Sequence, residues 1–250
     1  MQVGLIGAGN MARALARGWG EPVLVSDGGS GRALELAREL GGEAFESNVE
    51  VADRAELVVL CHKPAQFKDV ARELRGHVKA VASVLGGVNA VDLRLRYEVP
   101  VFRFTPNTPV EVRRGVLCYS PEREVDVELE AQVLELFGRV GTVVKVPERL
   151  IGAAGAVMGV GPAYHALVAE AQVDAAVRGG LAPGLAGLLV AETMAGTAAL
   201  LETRDYDTLA VRREVTSPGG TTARGLAALE RGGVRPAFQD AFDAVVGAAS

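Results

Sequence analysis

Residues 3–27 read VGLIGAGNMARALARGWGEPVLVSD. A short apolar run leads into a glycine turn, a helical pattern follows, and a second apolar run ends just before Asp27. The turn has the form G-x-G-x-x-A, and an acidic residue stands about twenty positions after it, as in the Rossmann fingerprint. This order of elements predicts a βαβ unit that binds the pyrophosphate of a nicotinamide dinucleotide.

Each small residue of the turn has a physical task. Gly7 permits a tight turn, Gly9 lets the backbone approach the pyrophosphate, and Ala12 lets the helix pack close to the sheet. The phosphates would lie on free N–H groups at the positive end of the helix. The predicted cofactor contacts of this segment are Ile6, Gly7, Ala8, Gly9, Asn10 and Met11.

The end of the second strand bears on the choice between NAD and NADP. A carboxylate such as Asp27 typically accepts hydrogen bonds from the adenosine ribose and repels a 2′-phosphate, which favours NAD. Ser26, Ser30 and Arg32 belong to a glycine-rich, hydroxyl-bearing loop with a cation, which favours a phosphate. Ser26 and Asp27 are therefore predicted cofactor contacts, and the residues leave NAD and NADP equally open.

The rest of the N-terminal sequence alternates short apolar runs with helical patterns. Runs that are apolar on both faces suit a buried parallel sheet, and strand–helix alternation predicts a doubly wound α/β domain of the Rossmann type. The predicted strands are Gln2–Ile6, Val23–Ser26, Leu57–Leu60, Val81–Val84, Val101–Phe104, Val116–Ser120 and Thr142–Val146. The predicted helices among them are Met11–Gly18, Arg32–Leu40, Pro64–Leu74 and Val125–Phe137.

The sequence changes character near Pro147, after which no strand-like run follows. Helices that are apolar on most faces must be buried on most faces, and about 100 residues cannot enclose several of them, so we predict a homo-oligomer through this region. The chain thus divides into a dinucleotide-binding domain, residues 1–147, and an all-α substrate and dimerisation domain, residues 148–250. The predicted helices there are Glu148–Met158, Ala163–Arg178, Pro183–Leu201 and Thr221–Gly232.

Composition and charge exclude several classes of protein. The 250 residues are 49% hydrophobic, and the net charge of −5 gives no basic field for nucleic acid or an anionic membrane. The apolar run Leu181–Leu201 carries Glu192, which favours a buried helix over a membrane span. Cys61 and Cys118 do not have the spacing of a zinc site, so no metal site is expected. The first predicted strand begins at Gln2, so no signal peptide is expected. These features predict a cytoplasmic protein without nucleic-acid or membrane partners.

A second glycine turn lies in the helical part of the chain. Residues 215–222 read VTSPGGTT and precede an apolar helical run. Two glycines let the chain fold tightly, and the following N–H groups face outward at a helix N-terminus, beside the hydroxyl groups of Ser217, Thr221 and Thr222. Either a small carboxylate binds there or the turn is an ordinary Ser/Thr helix cap. The residues of this predicted site are Ser217, Gly219, Gly220, Thr221 and Thr222.

At residues 215–230, VTSPGGTTARGLAALE, the chain resembles the signature of the pyrroline-5-carboxylate reductase family. Other segments agree in order and spacing over essentially the whole chain. They are GLIGAGNM at residues 4–11, Asn48, Lys63-Pro64, RFTPNTP at residues 103–109 and GPAY at residues 161–164. One departure is Met158-Gly159-Val160, where the family often has Ser-Gly-Ser.

The resemblance implies reduction of the C=N bond of 1-pyrroline-5-carboxylate to give L-proline, with hydride from NADPH or NADH. It also implies a helical domain that interleaves with that of a partner. By matching position, Asn48, Lys63, Pro64 and Asn107 are expected at the cofactor. Thr222 is expected near the imine nitrogen as the catalytic candidate. Ser217 is a further candidate contact, and Asp205 matches a position where the family can carry a substrate-side acid.

Other interpretations remain open from the sequence. One is a related imine or hydroxy-acid dehydrogenase. Such enzymes usually carry a lysine or another strong general acid on the helical domain, and residues 147–250 contain no lysine. Another is a catalytically inactive nucleotide-sensing paralogue, supported by the altered turn at residues 158–160. His62 lies next to Cys61 at the end of a predicted strand, close to the expected cofactor edge, where a cofactor contact is the less favoured interpretation.

Overall fold

The protein is described from a computed structural model that covers residues 1–121 and 125–248. The chain forms two compact units, Met1–Pro162 and Ala163–Ala248. The first unit contains an eight-stranded sheet flanked by helices, and the second unit is built from helices.

The strands are short and most are apolar. They are β1 (Val3–Ile6), β2 (Leu24–Ser26), β3 (Glu43–Phe45), β4 (Leu57–Leu60), β5 (Val81–Ser83), β6 (Val101–Pro106), β7 (Gly115–Ser120) and β8 (Gly141–Lys145). The helices that precede the second unit are α1 (Asn10–Trp19), α2 (Arg32–Leu40), α3 (Asn48–Arg54), α4 (Phe67–Glu73), α5 (Ala90–Arg94), α6 (Val127–Gly138) and α7 (Ile151–Met158).

The remaining helices belong to the second unit, apart from the first two residues of α8. They are α8 (Gly161–Arg178), α9 (Pro183–Glu202), α10 (Thr208–Glu214), α11 (Thr221–Arg231) and α12 (Val234–Ala248). Short 3₁₀ turns lie at Pro64–Gln66, Thr108–Val112 and Glu148–Leu150.

The strand order predicts a ligand site at the carboxyl ends of the central strands β1 and β4. The order is β3-β2-β1-β4-β5-β6-β7-β8, with β1 to β6 parallel and β7 antiparallel to β6. The direction of chain progress reverses between β1 and β4. In open α/β sheets the crevice at this switch point, outside the carboxyl ends of the strands, is where ligands bind.

The central strands are buried on both faces, as their apolar runs predict. In β4, Leu57 and Val59 contribute to the core under α1, α2 and α6, whereas Val58 and Leu60 contribute to the core under α3, α4 and α5. Side chains alternate between the faces of a strand, so a strand with helices on both sides needs an unbroken apolar run.

An aromatic cluster anchors α1 and α6 to the sheet. The indole Nε1 of Trp19 donates a hydrogen bond to the Leu136 carbonyl oxygen at 3.0 Å. The Trp19 ring meets the Phe137 ring edge to face, with centroids 5.6 Å apart, and Phe137 stacks on Phe104 at 4.0 Å. Trp19 therefore satisfies its polar atom while it fills the core.

The sequence predicted most of these elements and missed several short ones, together with the long C-terminal helix α12. All seven predicted strands are present within one or two residues at each end. The helix predicted from Val125 begins at Val127, because the carboxylate of Asp126 accepts the Leu129 N–H and caps it. Edge strand β3 has one exposed and two half-buried residues and so lacks a clear apolar period. Helices α3, α5, α10 and α12 were also missed.

The second unit leaves large apolar side chains exposed in the single chain. Leu167 is 65% exposed, Leu188 58% and Leu189 49%. Two segments, Glu148–Arg178 and Pro183–Glu202, are long and apolar enough to span a membrane by length and composition alone. Helices that pack against a second subunit have the same character, because their apolar faces are buried only in the assembly.

We expect Gly18→Ala to destabilise the first unit. A Cβ at Gly18 would overlap the Val110 carbonyl oxygen and lie 2.9 Å from Cγ1 of Val140. Over-packing of this kind costs about 1–3 kcal/mol. Gly138→Ala is the matched control, because a Cβ there meets no described atom within 4 Å outside its chain neighbours and its own helix backbone, and alanine in a helix is favoured by up to about 1 kcal/mol. Thermal unfolding should show a lower Tm for Gly18→Ala and an unchanged or higher Tm for Gly138→Ala.

Candidate active site

The glycine turn after β1 lies directly against the loop that follows β4. Gly7 has φ +104°, and a Cβ on it would lie 2.7 Å from the His62 backbone nitrogen and 2.8 Å from the Cys61 carbonyl carbon. The Gly7 N–H donates to the Ser26 carbonyl at 2.8 Å. Both the backbone conformation and the space therefore require glycine at this position.

Helix α1 presents unpaired donors next to this turn. Among the described residues no side chain caps the helix at Gly9, and its first backbone bond runs from the Arg13 N–H to the Gly9 carbonyl at 3.0 Å. The N–H groups of Asn10, Met11 and Ala12 therefore point out of the helix end. A Cβ at Gly9 would meet its nearest neighbour, the Cys61 carbonyl oxygen, only at 4.0 Å. This open, donor-rich surface fits a phosphate.

A cleft of about 430 Å³ opens at the carboxyl ends of β1, β2 and β4. It has the volume typical of a small-molecule site. Seven of the predicted cofactor residues line it, namely Ile6, Gly7, Ala8, Gly9, Asp27, Asn48 and Lys63. The other lining residues are Gly28, Ser30, Arg32, Cys61, His62, Gln66 and Val70. The predicted residues that do not line this cleft are Asn10, Met11, Ser26, Pro64 and Asn107.

Two side-chain hydrogen bonds orient Asn48 at the cleft. Ser26 is fully buried, and its hydroxyl donates to Oδ1 of Asn48 at 2.7 Å. Nδ2 of Asn48 donates to Oε2 of Glu73 at 2.8 Å. The amide is thus held in one orientation and keeps a second N–H for a ligand. Ser26 therefore positions Asn48 in the structure, and its own contact with a cofactor stays a prediction.

The Asp27 carboxylate is fully engaged within its own loop. Oδ1 accepts the N–H groups of Gly29 at 3.0 Å and Ser30 at 3.1 Å. Oδ2 accepts the Ser30 hydroxyl at 2.6 Å and the Ala33 N–H, in the first turn of α2, at 2.9 Å. Desolvation acts to raise the pKa of Asp27, but these hydrogen bonds outweigh it and hold the pKa below its ordinary value. Asp27 is therefore an anion that organises the loop.

Charges of both signs meet at this end of the cleft. Arg32 and Lys63 line it together with Asp27. The two cations attract a phosphate, whereas the Asp27 anion repels one and already accepts the Ala33 N–H at the start of α2. The geometry is compatible with NAD and with NADP.

Asn107 lies away from the cleft and joins two backbone segments. Its Oδ1 accepts the Val116 N–H at 2.8 Å, and its Nδ2 donates to the Met158 carbonyl at 3.0 Å. The side chain is buried. Asn107 therefore ties the loop after β6 to the end of α7, and the predicted cofactor contact remains a prediction. Pro64 begins the 3₁₀ turn Pro64–Gln66, for which its fixed φ is well suited.

The second glycine turn places its hydroxyl groups on the surface at the start of α11. Gly219 has φ +70°, and the Gly220 N–H donates to the Ser217 carbonyl at 3.1 Å. The first bond of α11 runs from the Arg224 N–H to the Gly220 carbonyl at 3.2 Å. The N–H groups of Thr221 and Thr222 therefore point outward. Both threonines are exposed.

Asp205 belongs to a different turn of the second unit. Asp205 and Tyr206 have φ values of +50° and +62°, a left-handed conformation that is uncommon for residues other than glycine. The Tyr206 N–H donates to the Leu201 carbonyl at 2.9 Å, which ends α9. Asp205 is exposed. Its role at the substrate stays a prediction.

Three lining residues had little or no sequence signal. Gln66 and Val70 come from the segment predicted as the helix Pro64–Leu74, and nothing in that pattern marks them as site residues. His62 was placed near the expected cofactor edge but was not assigned to the cofactor. Over the described part of the chain, no group of three or more His, Cys, Asp or Glu residues is arranged to hold a metal ion.

Comparisons with known proteins agree with this geometry. Residues 2–87 match the family model described as NADP oxidoreductase, coenzyme F420-dependent, and residues 148–250 match the model for pyrroline-5-carboxylate reductase dimerisation. With the glycine turn and the cleft at the switch point, these matches define a nicotinamide-dinucleotide-dependent oxidoreductase that forms a homo-oligomer.

Full-length relatives narrow the class. The chain is 36% identical to a Thermus thermophilus pyrroline-5-carboxylate reductase and 34% identical to one from Synechocystis, over 98% of this chain and 95% of each relative. A crystal structure of Plasmodium falciparum pyrroline carboxylate reductase with NADP bound has a TM-score of 0.88 at 26% identity, covering 100% of this chain and 97% of that one. The chain belongs to the pyrroline-5-carboxylate reductase family.

The two glycines of the first turn should fail in different ways when replaced by alanine. Gly7→Ala would place a Cβ against the Cys61–His62 backbone at a residue with positive φ. The nucleotide-free protein should therefore lose several degrees of Tm, because a loss of 1 kcal/mol in the free energy of unfolding lowers Tm by about 2–4 °C for a chain of this size. Gly9→Ala meets no close neighbour and should keep its Tm. Its methyl group should nevertheless weaken binding of NADH and NADPH about tenfold or more, because it stands where the backbone approaches pyrophosphate. Equal losses of Tm in the two variants would contradict this assignment.

Asp27→Ser should favour NADPH over NADH. Removing the anion leaves Arg32 and Lys63 to attract a 2′-phosphate, and a change of about 1.4 kcal/mol would shift the ratio of the two kcat/KM values about tenfold. Asp53→Ser is the control, because Asp53 pairs with His77 and does not line the cleft. If the ratio does not change in Asp27→Ser, the carboxylate does not select the cofactor.

Proposed function

We propose that the protein reduces 1-pyrroline-5-carboxylate to L-proline with NADH or NADPH, a step of proline biosynthesis. Family membership carries the proposal, and the two glycine turns supply the binding surfaces it needs. The first turn and its cleft suit a dinucleotide. The second turn offers helix N–H groups and hydroxyls, which suit a small carboxylate substrate.

The substrate carboxylate binds at the start of α11. The outward N–H groups of Thr221 and Thr222 and the positive end of the helix dipole attract an anion. Gly220 lets the chain pass close to Ser217, since a Cβ there would overlap the Ser217 hydroxyl. Ser217 and Gly219 shape this turn, and Asp205 is an additional substrate contact.

The hydroxyl of Thr222 orients the imine nitrogen. When bound, the reduced nicotinamide supplies the hydride that adds to the imine carbon. The imine nitrogen carries a proton, and this protonated C=N bond is electrophilic without a metal or a covalent nucleophile. An ordinary threonine is a weak acid, so Thr222 positions the nitrogen or relays a proton through water. Catalysis by this chain is then mainly orientation.

The helices of the second unit serve the assembly. Their exposed leucines pack against a second copy of the chain rather than lipid, and the negative net charge gives no affinity for nucleic acid. The cytoplasm, where proline precursors and reduced nicotinamide cofactors are available, is the proposed location.

A direct assay tests this function. Purified protein is mixed with 1-pyrroline-5-carboxylate and NADH or NADPH, and the decrease in nucleotide absorbance and the proline formed are measured. Stoichiometric oxidation and proline formation support the reductase. Tight nucleotide binding without oxidation of either nucleotide would instead indicate a nucleotide sensor.

Thr222→Ala should lower kcat about ten- to hundredfold, because loss of one positioned hydrogen bond at the reacting group costs about 1.4–2.7 kcal/mol. Nucleotide affinity should stay within about twofold, and Thr222→Ser should restore most of the activity. Thr216→Ala is the matched control, because the Thr216 hydroxyl donates to the Arg212 carbonyl at 2.5 Å and is engaged in α10. Equal loss of kcat and nucleotide affinity in Thr222→Ala would contradict the proposal that Thr222 orients the imine nitrogen.

A further inference from the structure

His62 follows β4 and contributes an unusual acceptor to the nucleotide cleft. Its Nδ1 lies 2.9 Å from the carbonyl oxygen of Lys63. A carbonyl oxygen can only accept, so Nδ1 carries the proton in this contact. In the neutral imidazole, Nε2 is then a bare acceptor.

This acceptor has no partner within the described residues. Nε2 of His62 is buried and makes no hydrogen bond there. Burial lowers the pKa of His62, with a smaller opposite effect from the bond to Lys63, so the ring is neutral near pH 7. A buried polar atom that remains unpaired is unfavourable and calls for an explanation, such as a ligand group.

The position of His62 identifies the ligand group that can supply the missing donor. His62 lines the cleft with Gly7 and Gly9, and its backbone nitrogen is the closest neighbour of a Cβ placed on Gly7. A pyrophosphate on the glycine turn offers only acceptors. The ribose hydroxyls, which flank the pyrophosphate on both sides in a dinucleotide, are the nearest donors.

We propose that Nε2 of His62 accepts a hydrogen bond from a ribose hydroxyl of the bound dinucleotide, so that His62 is a cofactor-binding residue of this chain. The inference rests on the dinucleotide site of the proposed function. It requires a small adjustment of the ring or its surroundings to admit the hydroxyl, because Nε2 is covered in the nucleotide-free structure. It assigns His62 no part in the chemical step.

The first test separates affinity from stability. His62→Leu removes the unpaired buried nitrogen but also the Nδ1 bond to the Lys63 carbonyl, so the nucleotide-free Tm should change little. Direct titration of NADH and NADPH should show about five- to thirtyfold weaker binding, the effect of a lost hydrogen bond with an unpaired donor left behind. His62→Gln, which keeps an acceptor, should recover part of the affinity. His77→Leu is the control, since His77 pairs with Asp53 at 2.8 Å and does not line the cleft.

The wild-type protein provides a second readout that needs no variant. With ¹⁵N-labelled histidine, the Nε2 resonance of His62 should move on addition of nucleotide, while Nδ1 stays protonated. Titration of ADP and ADP-ribose distinguishes the two sugars. A penalty in His62→Leu with ADP places the contact at the adenosine ribose, and a penalty with ADP-ribose alone places it at the other ribose.

Unchanged affinity in His62→Leu, with an Nε2 resonance that saturating nucleotide does not move, would overturn the assignment while leaving the proposed function intact. Failure of the wild-type protein to bind either nucleotide would overturn both the assignment of His62 and the proposed function. A low Tm in every His62 variant would show a structural role, and the resonance of the wild-type protein would then decide the question.

Discussion

The proposed nucleotide site depends on one close approach of two backbones, at Gly7 on one side and at Cys61 and His62 on the other. Strands β1 and β4 are parallel neighbours, with Ile6 opposite Leu60, so the loops that follow them leave the sheet side by side. Because Gly7 has no side chain, these loops can touch. This contact places the N-terminus of α1 and the imidazole of His62 in one cleft.

The electrostatics of the cleft follow from how each charge is paired. All the hydrogen bonds that Asp27 accepts come from its own loop and from the start of α2, so we expect it to act on a bound nucleotide mainly as a negative charge. Arg32 and Lys63 line the same cleft as fixed cations. We therefore expect selectivity for a 2′-phosphate to reflect a balance among these three charges.

The second unit shows how composition can require a partner. Its helices carry leucines that the single chain leaves exposed, such as Leu188 at 58%. Residues 148–250 match a model for a dimerisation domain. In an oligomer, a second subunit can bury these side chains. The same apolarity also gives two segments the composition of membrane spans, so composition alone does not separate a subunit interface from a lipid-facing helix.

The sequence by itself determined the doubly wound domain, the glycine turn and the helical second part, because apolar period, glycine spacing and charge are local properties of the chain. It could not reveal that Asp27 accepts hydrogen bonds within its own loop, that Asn107 joins Val116 to Met158, or that Nε2 of His62 has no hydrogen-bond partner among the residues the structure describes. Those facts depend on which backbone atoms lie within about 3 Å of a side chain. Only the packing of segments far apart in sequence decides such distances.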